Sequence, residues 1–494
     1  MKTREQWGSR LGFILAAVGS AIGLGNIWRF PYMAYENGGG AFLIPYFFAM
    51  VTAGIPLMIL EFGIGHKFRG SAPKAFASIS KRMEWLGWWQ ILISFIIAVY
   101  YVAVIGWAIS YLFMAPAQTW GAETKDFFFS SFLHLSSSPM DINSMQWPIL
   151  AAVAAAWAVN WFVLFCGVKK GIEKANKILM PVLFFLVLLI CGRALTLPGA
   201  MDGVNWLFEP RFDKILDYKV WAAAYGQIFY SLSICFAIMI TYSSYLPEKS
   251  DVNNNAFMTV FINCGFSMLA GVMIFAVLGS MAAQQGVGVD KVVSSGVGLA
   301  FITIPKAINS LPAPAFFGTL FFLCLVLAGL SSEISISETV VSAIMDKVGL
   351  PRKTVVTLFC TSGFLISTVF ATDAGLLVLD IVDHFINNFG ILFAGLTEIL
   401  FLGWFFKTSV IRDHVNRISE FAIGNWWMIC LRFVTPVVLG YMAVANLIGD
   451  IRTPYSSYPI EALLTFGWFL VVAIIPLAFV IQKKKTTTPL LRTK

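Results

Sequence analysis

Residues 11–31, LGFILAAVGSAIGLGNIWRFP, decide how the rest of the chain is read. The stretch is as long as a membrane-spanning helix needs to be, about 20 residues. Yet Gly19, Gly23 and Gly25 stand in its middle with Ser20 and Asn26 among them, and glycine costs a helix interior about 1 kcal/mol relative to alanine. Such a span is expected to cross the bilayer without staying helical throughout. Unwound backbone finds no water inside lipid, so a break is tolerated only where it faces protein, a cavity or a ligand. The half-helix starting near Leu24 would aim N–H groups and a positive dipole end at an anion, while loosened carbonyls from Gly19 to Ile22 would face a cation. A glycine-rich helix packed closely on a neighbour fits this stretch equally well.

Working outward, the 494 residues are 58% hydrophobic and only 12% charged, with a mean hydropathy of +0.79. That is too little charge for a water-soluble chain of this size, and the class implied is an all-α polytopic membrane protein. The net charge of +8 does not point to nucleic acid, because most Lys and Arg fall in alternate loops and the termini, as cytoplasmic positive bias predicts. The seven cysteines (Cys166, Cys191, Cys235, Cys264, Cys324, Cys360, Cys430) lie in or beside apolar segments with no CxxC. They read as packing residues, and the four scattered histidines give no metal cluster. The N-terminus, MKTREQW, is too short and polar for a signal peptide, so the first span is expected to direct insertion.

Twelve hydrophobic segments are predicted, at 10–34, 40–66, 86–114, 147–167, 172–197, 220–246, 253–283, 315–347, 352–371, 374–406, 425–448 and 459–482. An even count puts both termini on one side. The basic loops 67–85, 169–177 and 407–417, with Lys483, Lys484 and Lys485, make that side cytoplasmic. Outside lie a long loop at 115–146 and a Pro-rich one at 284–314, placed to cover an entrance.

The sixth segment holds Ser231 and Ser233 in an apolar run. Ser–x–Ser in a helix commonly bonds back to the preceding turn. But segments one and six are equivalent if segments one to five (10–197) and six to ten (220–406) are two structural repeats, and paired interrupted helices at matching positions mark a transporter's substrate site. Asn263 and Ser267 share a helical face in segment seven; Ser331 and Ser332 follow a small-residue contact in segment eight; Tyr100 and Tyr101 sit in segment three. Each could be interhelical glue. Glu61, Glu333, Glu338, Asp383 and Glu398 ask for more, since a charge at bilayer depth costs at least ~2.5 kcal/mol unless partnered or protonated.

The stretch REQWGSRLGFILAAVGSAIGLGNIWRFPYMAYENGGGAFLIPYF, with YGQIFYSLS, AGLSS and LDIVDHF, closely resembles the neurotransmitter:sodium symporter family, the solute carrier 6-like carriers whose bacterial members include amino-acid transporters. The likeness runs through nearly the whole chain in order. It implies 12 helices, with a 5+5 inverted-repeat core in which helices 1 and 6 are discontinuous, helices 11 and 12 (425–482) beside it, and alternating access. It implies a first sodium site at Ala21, Asn26, Ser231 and Asn263, completed by the substrate carboxylate, and a second at Gly19, Ile22, Ala328, Ser331 and Ser332. The substrate carboxylate would meet the Leu24 and Gly25 N–H groups and the Tyr101 hydroxyl. Its ammonium would meet Ala21, Tyr230, Ser231 and Ser233, inside a pocket of Ser20, Ile97, Tyr230, Phe236, Ser332 and Ile336. Arg29 and Asp383 resemble the outer gate, with Tyr101 and Tyr230 beneath; Arg4 and Asp346, with Trp7 and Tyr245, resemble the inner gate. The amine carriers of the family place Asp at the position of Gly23, so Gly23 implies a ligand that brings its own carboxylate, an amino acid.

Three departures sharpen these expectations. Ser267 stands where many bacterial relatives are acidic, and with Tyr46, Gln227, Ser231 and Asn263 it matches the chloride site of the animal members. Two buried sodium ions beside a zwitterion leave +2 uncompensated, which makes an anion at this depth favourable; chloride is expected to supply it, with Glu61, Glu333 or a proton-linked carboxylate as the alternative. Glu333 replaces a small residue at the pocket wall. Facing the pocket it would select a polar or basic side chain or donate a hydrogen bond; facing a neighbouring helix it would be structural. Cys235 replaces a glycine in the unwound part of segment six and narrows it. A carrier in the bacterial inner membrane, monomeric or weakly homo-oligomeric, is the expectation. A substrate-gated channel or sensor is the rival, and no enzyme constellation is visible.

Overall fold

The computed structural model describes residues 4–292 and 296–487. Among these the chain is almost wholly helical, and extended pairing is confined to two isolated bridges, Gly39 with Pro210 and Met145 with Thr372. The deciding stretch is two helices, α1 (Arg10–Ala21) and α2 (Gly25–Glu36), bent by 55°. The Ser9 side chain caps α1 by accepting from the Gly12 N–H. Continuous helices follow: α3 (Gly40–Phe68), α4 (Lys81–Ala117), α5 (Trp147–Phe165) and α6 (Val168–Leu195). The sixth stretch is again divided, into α7 (Tyr218–Ser231) and α8 (Ile238–Ser243). Then come α9 (Val252–Gln285), α10 (Pro314–Val348), α11 (Arg352–Ala371) and α12 (Gly375–Phe405), a short α13 (Ser409–Ile418), α14 (Asn425–Ser457) and α15 (Ile460–Lys483).

Ten of these helices are long and apolar enough to cross a membrane, and the α1–α2 pair makes an eleventh span. The twelfth expected span differs for a physical reason: its break leaves pieces of 14 and 6 residues, each too short to cross alone. The radial pattern is that of a membrane protein. Phe162, Phe185, Leu188, Val437, Val444, Phe469, Val472 and Val480 are exposed, whereas Asn26, Glu61, Gln227, Asn263, Ser331, Glu333 and Glu398 are buried.

Two features position the site. A Cβ at Gly65 would lie 2.0 Å from the Ile240 carbonyl and 2.1 Å from Ser243 Oγ, so the end of α3 and the backbone of α8 touch as only a glycine allows. At the outer end, a short helix Leu299–Asn309 from the Pro-rich loop packs Phe301 against Trp28 and Trp107, and the Tyr111 hydroxyl donates to the Phe301 carbonyl. Residues 293–295 of that loop lie outside the described residues.

Candidate functional site

The two breaks open on one cavity. Its wall takes Ser20, Ala21, Gly23, Leu24, Gly25 and Asn26 from the first, Tyr230, Ser231, Ser233 and Phe236 from the second, and Ile97, Tyr100, Tyr101, Ser332, Ile336, Asn387 and Ile391 from α4, α10 and α12. Twelve of the thirteen expected substrate residues are therefore together. The Leu24 N–H donates to the Tyr101 hydroxyl at 3.3 Å. The Ser233 hydroxyl donates to the Ser20 carbonyl at 2.9 Å, tying one break to the other. A Cβ at Gly23 would lie 2.8 Å from Ser332 Oγ and 3.2 Å from the Tyr101 hydroxyl, and one at Gly25 would lie 2.4 Å from the Tyr230 ring. Neither glycine has room for a side chain.

Glu333 is the exception, and it corrects the pocket expectation. Its Oε1 accepts from Ser337 Oγ at 2.8 Å and from Asn160 Nδ2 at 3.3 Å, so the carboxyl faces α5 rather than the cavity. Neighbouring positions on a helix point about 100° apart, and Ser332, which does line the cavity, sends Glu333 sideways. Tyr100, Asn387 and Ile391 were not in the expected set. Asn387 was discoverable, since it lies one turn beyond Asp383 and donates to that carboxylate at 2.8 Å.

Oxygen atoms converge at both expected sodium positions. The Asn263 amide lies against the Ala21 and Ser231 carbonyls, to which its nitrogen donates at 3.2 and 3.3 Å, and its oxygen accepts from Ser231 Oγ at 3.1 Å. Asn26 Oδ1 accepts from the Gly23 N–H at 3.0 Å. At the second position, Ser332 Oγ sits 3.5 Å from the carbonyls of Gly19 and Ile22. Ser331 Oγ donates to the Ala328 carbonyl at 2.9 Å. These neutral oxygen groups fit a hard monovalent cation.

Beside the first position, Asn26 Nδ2 donates to Ser267 Oγ at 2.8 Å. Both polar atoms of the buried Gln227 amide lack a hydrogen-bond partner, although buried polar groups are nearly always bonded. The buried Tyr46 hydroxyl lies within reach of Cys264, Ser267 and Ser231.

The two gates differ. On the inner side Arg4 Nη1 bonds both Asp346 oxygens, at 3.1 and 3.0 Å. Trp7 Nε1 donates to the Tyr242 carbonyl at 2.8 Å, the Arg4 guanidinium lies 4.7 Å over the Tyr245 ring, and Lys74 joins Asp346 at 3.7 Å. Burial opposes the Arg4 charge, but Asp346 outweighs it and the pKa is raised; burial lowers that of Lys74, with Asp346 opposing. On the outer side Arg29 and Asp383 do not pair directly, which corrects the expected gate for this conformation. The Arg29 guanidinium lies 4.2 Å over the Tyr230 ring, and Asp383 accepts from the Tyr100 hydroxyl at 2.7 Å. The Arg4 end is latched by an ion pair, whereas at the other end the Arg29 guanidinium rests on the Tyr230 ring without an ion-pair partner among the described residues.

A cavity between two broken membrane helices, ringed by facing oxygens and closed by a latch at its inner end, defines a secondary transporter. The sequence profile of the sodium:neurotransmitter symporter family matches residues 4–122 and 117–487, and the chain belongs to that family. It is 46% identical to a sodium-dependent transporter of Methanocaldococcus jannaschii over 98% of both chains. It is 29% identical to the sodium- and chloride-dependent taurine transporter of Canis lupus familiaris, over 99% of this chain and 86% of that one, and 29% identical to the sodium-dependent dopamine transporter of Caenorhabditis elegans, over 92% and 82%. The protein is thus a sodium-dependent symporter that spans the membrane many times, and not an enzyme.

Proposed function

We propose that the protein imports a small amino acid by alternating access, driven by two sodium ions and dependent on chloride. The observation that carries this reading is the shared cavity, whose wall brings Leu24, Gly25 and Tyr101 together with Ala21, Tyr230, Ser231 and Ser233. N–H and O–H donors suit a carboxylate, and carbonyls suit an ammonium. Gly23 leaves no carboxylate of the protein's own, and a side chain there would strike Ser332. The first sodium ion sits against the substrate carboxylate, so each ligand raises the other's affinity.

Residues 10–197 and 220–406 form the two inverted repeats on this reading, each opened by a broken helix, with residues 425–482 packed outside them and both termini in the cytoplasm. A tenfold sodium gradient supplies ~1.4 kcal/mol per ion, and each charge crossing 100 mV adds ~2.3 kcal/mol. Two sodium ions then supply about 7 kcal/mol, less ~2.3 kcal/mol if chloride crosses with them.

The unpartnered Gln227 amide and the Tyr46 hydroxyl close to Ser231 and Ser267 support chloride. Uptake into proteoliposomes is expected to collapse when gluconate replaces chloride, and Ser267→Glu is expected to restore it; full uptake in gluconate rejects the chloride site. For the substrate, binding of the twenty amino acids and of taurine is measured with and without sodium. Sodium-dependent binding of at least one amino acid is expected, and a carrier that binds only an amine lacking an acidic group overturns the substrate class. Counterflow of labelled for unlabelled amino acid separates a carrier from a channel or sensor.

A further inference from the structure

Glu61 of α3 and Glu398 of α12 are both fully buried, and their carboxylates lie with the Cys235 thiol inside a sphere where all three ligand atoms are within 4.8 Å of one another. Glu61 Oε1 accepts from the Cys235 N–H at 2.6 Å, and Glu398 Oε2 accepts from Gln90 Nε2 at 2.5 Å. The remaining oxygens, Glu61 Oε2 and Glu398 Oε1, have no hydrogen-bond partner, and neither has Oε1 of Gln90, a buried α4 amide whose head touches Glu398. Three buried acceptors thus lack a partner, with the Cys235 thiol beside the carboxylates as a weak donor.

The titratable groups that face the pair are few. From α3 and α12 there are the two carboxyls themselves, and from the break between α7 and α8 the Cys235 thiol; Gln90 of α4 does not titrate. His66, further along α3, is engaged by the Pro247 carbonyl and by His414 of α13, at 2.9 Å each. Neither carboxylate has an ion-pair partner among the described residues. Two like charges this close, away from water and without a cation, cannot both be ionised. One bound hydrogen ion removes a charge and turns one acceptor into a donor, which answers both defects together.

We propose that Glu61 and Glu398 together bind one proton, a cation site separate from both sodium positions, which pins α3 and α12 to the break in the sixth stretch through Cys235. The site does not depend on the substrate reading. Loss of the proton leaves two carboxylates opposed across the break and loosens the Glu61 contact to Cys235.

The test uses the full-length protein in detergent and the carboxylic-acid C=O band in infrared difference spectra between neutral and alkaline pH. The wild type is expected to show an acid band that Glu398→Gln and Glu61→Gln each reduce by one carboxyl, with Glu333 left as the remaining buried acid. The wild-type melting temperature should also fall at alkaline pH, and that fall should shrink by half or more in Glu398→Gln. If a Gln variant fails to fold, selective isotope labelling of wild-type glutamate reports the same band. An acid band equal in the wild type and both variants overturns the proposal. So does stoichiometric tight binding of cadmium with no acid band, which would make the cluster a metal site.

Discussion

The two breaks that form the cavity are built in opposite ways. In the first, the turn falls at Ile22 and Gly23, and no residue there takes left-handed backbone. In the second, Ser233 (φ 53°), Cys235 (φ 69°) and Ala237 (φ 68°) are left-handed, and none is glycine. At about 1–2 kcal/mol each, that is roughly 3–6 kcal/mol of local strain. The strained turn persists because others hold it: Ser94 Oγ donates to the Phe236 carbonyl at 2.7 Å, Glu61 accepts from Cys235 N–H, and Ser233 reaches Ser20. A glycine-made break is open by default and specialised for close approach. A side-chain-held break stores energy and depends on its neighbours.

Four substitutions break or sharpen this contrast. Gly25→Ala puts a methyl 2.4 Å from the Tyr230 ring; overpacking of about 1–3 kcal/mol should weaken sodium-dependent ligand binding roughly tenfold or more with little change in melting, and wild-type affinity in an equilibrium binding assay would show that the first break needs no close approach. Ser94→Ala strands the Phe236 carbonyl at a cost of about 1–3 kcal/mol. Thermal unfolding should register that loss, and an unchanged melting temperature would mean the second break holds itself. The smallest effect is the difference between Cys235→Gly and Cys235→Ala. Both lose the sulfur that packs at Gly395, but glycine should be the more stable by about 1 kcal/mol; equal melting of the two would remove strain from the account.

The same contrast explains what could be read in advance. Three glycines within seven residues announce an interruption, and ten long apolar helices with the bent first pair followed from hydropathy because lipid requires long apolar spans. The second interruption is spelled Ser, Cys and Ala, which carry no backbone signal, so Ser231, Ser233 and the repeat symmetry could only suggest it and likeness to the family placed it. The orientation of Glu333 stayed open between pocket and neighbouring helix, because its neighbour's role says nothing of which way the next side chain turns; the structure has it on the helix-facing side. The Arg29–Asp383 pair was legible as a juxtaposition across the outer end, but its closure depends on conformation. Glu61 and Glu398 each stood out as costly charges, yet 337 positions of sequence separation hid their meeting.

The contact at Gly65 has a mechanical result. Because backbone meets backbone there, α8 has no side-chain cushion on which to slide along α3, and the two must travel as one passenger. α7 lies beyond the strained turn and is free of that weld. Spin labels on α3 and α8 would keep a constant separation through the transport cycle, while a pair spanning the turn would swing, which makes residues 232–237 the bearing of the machine.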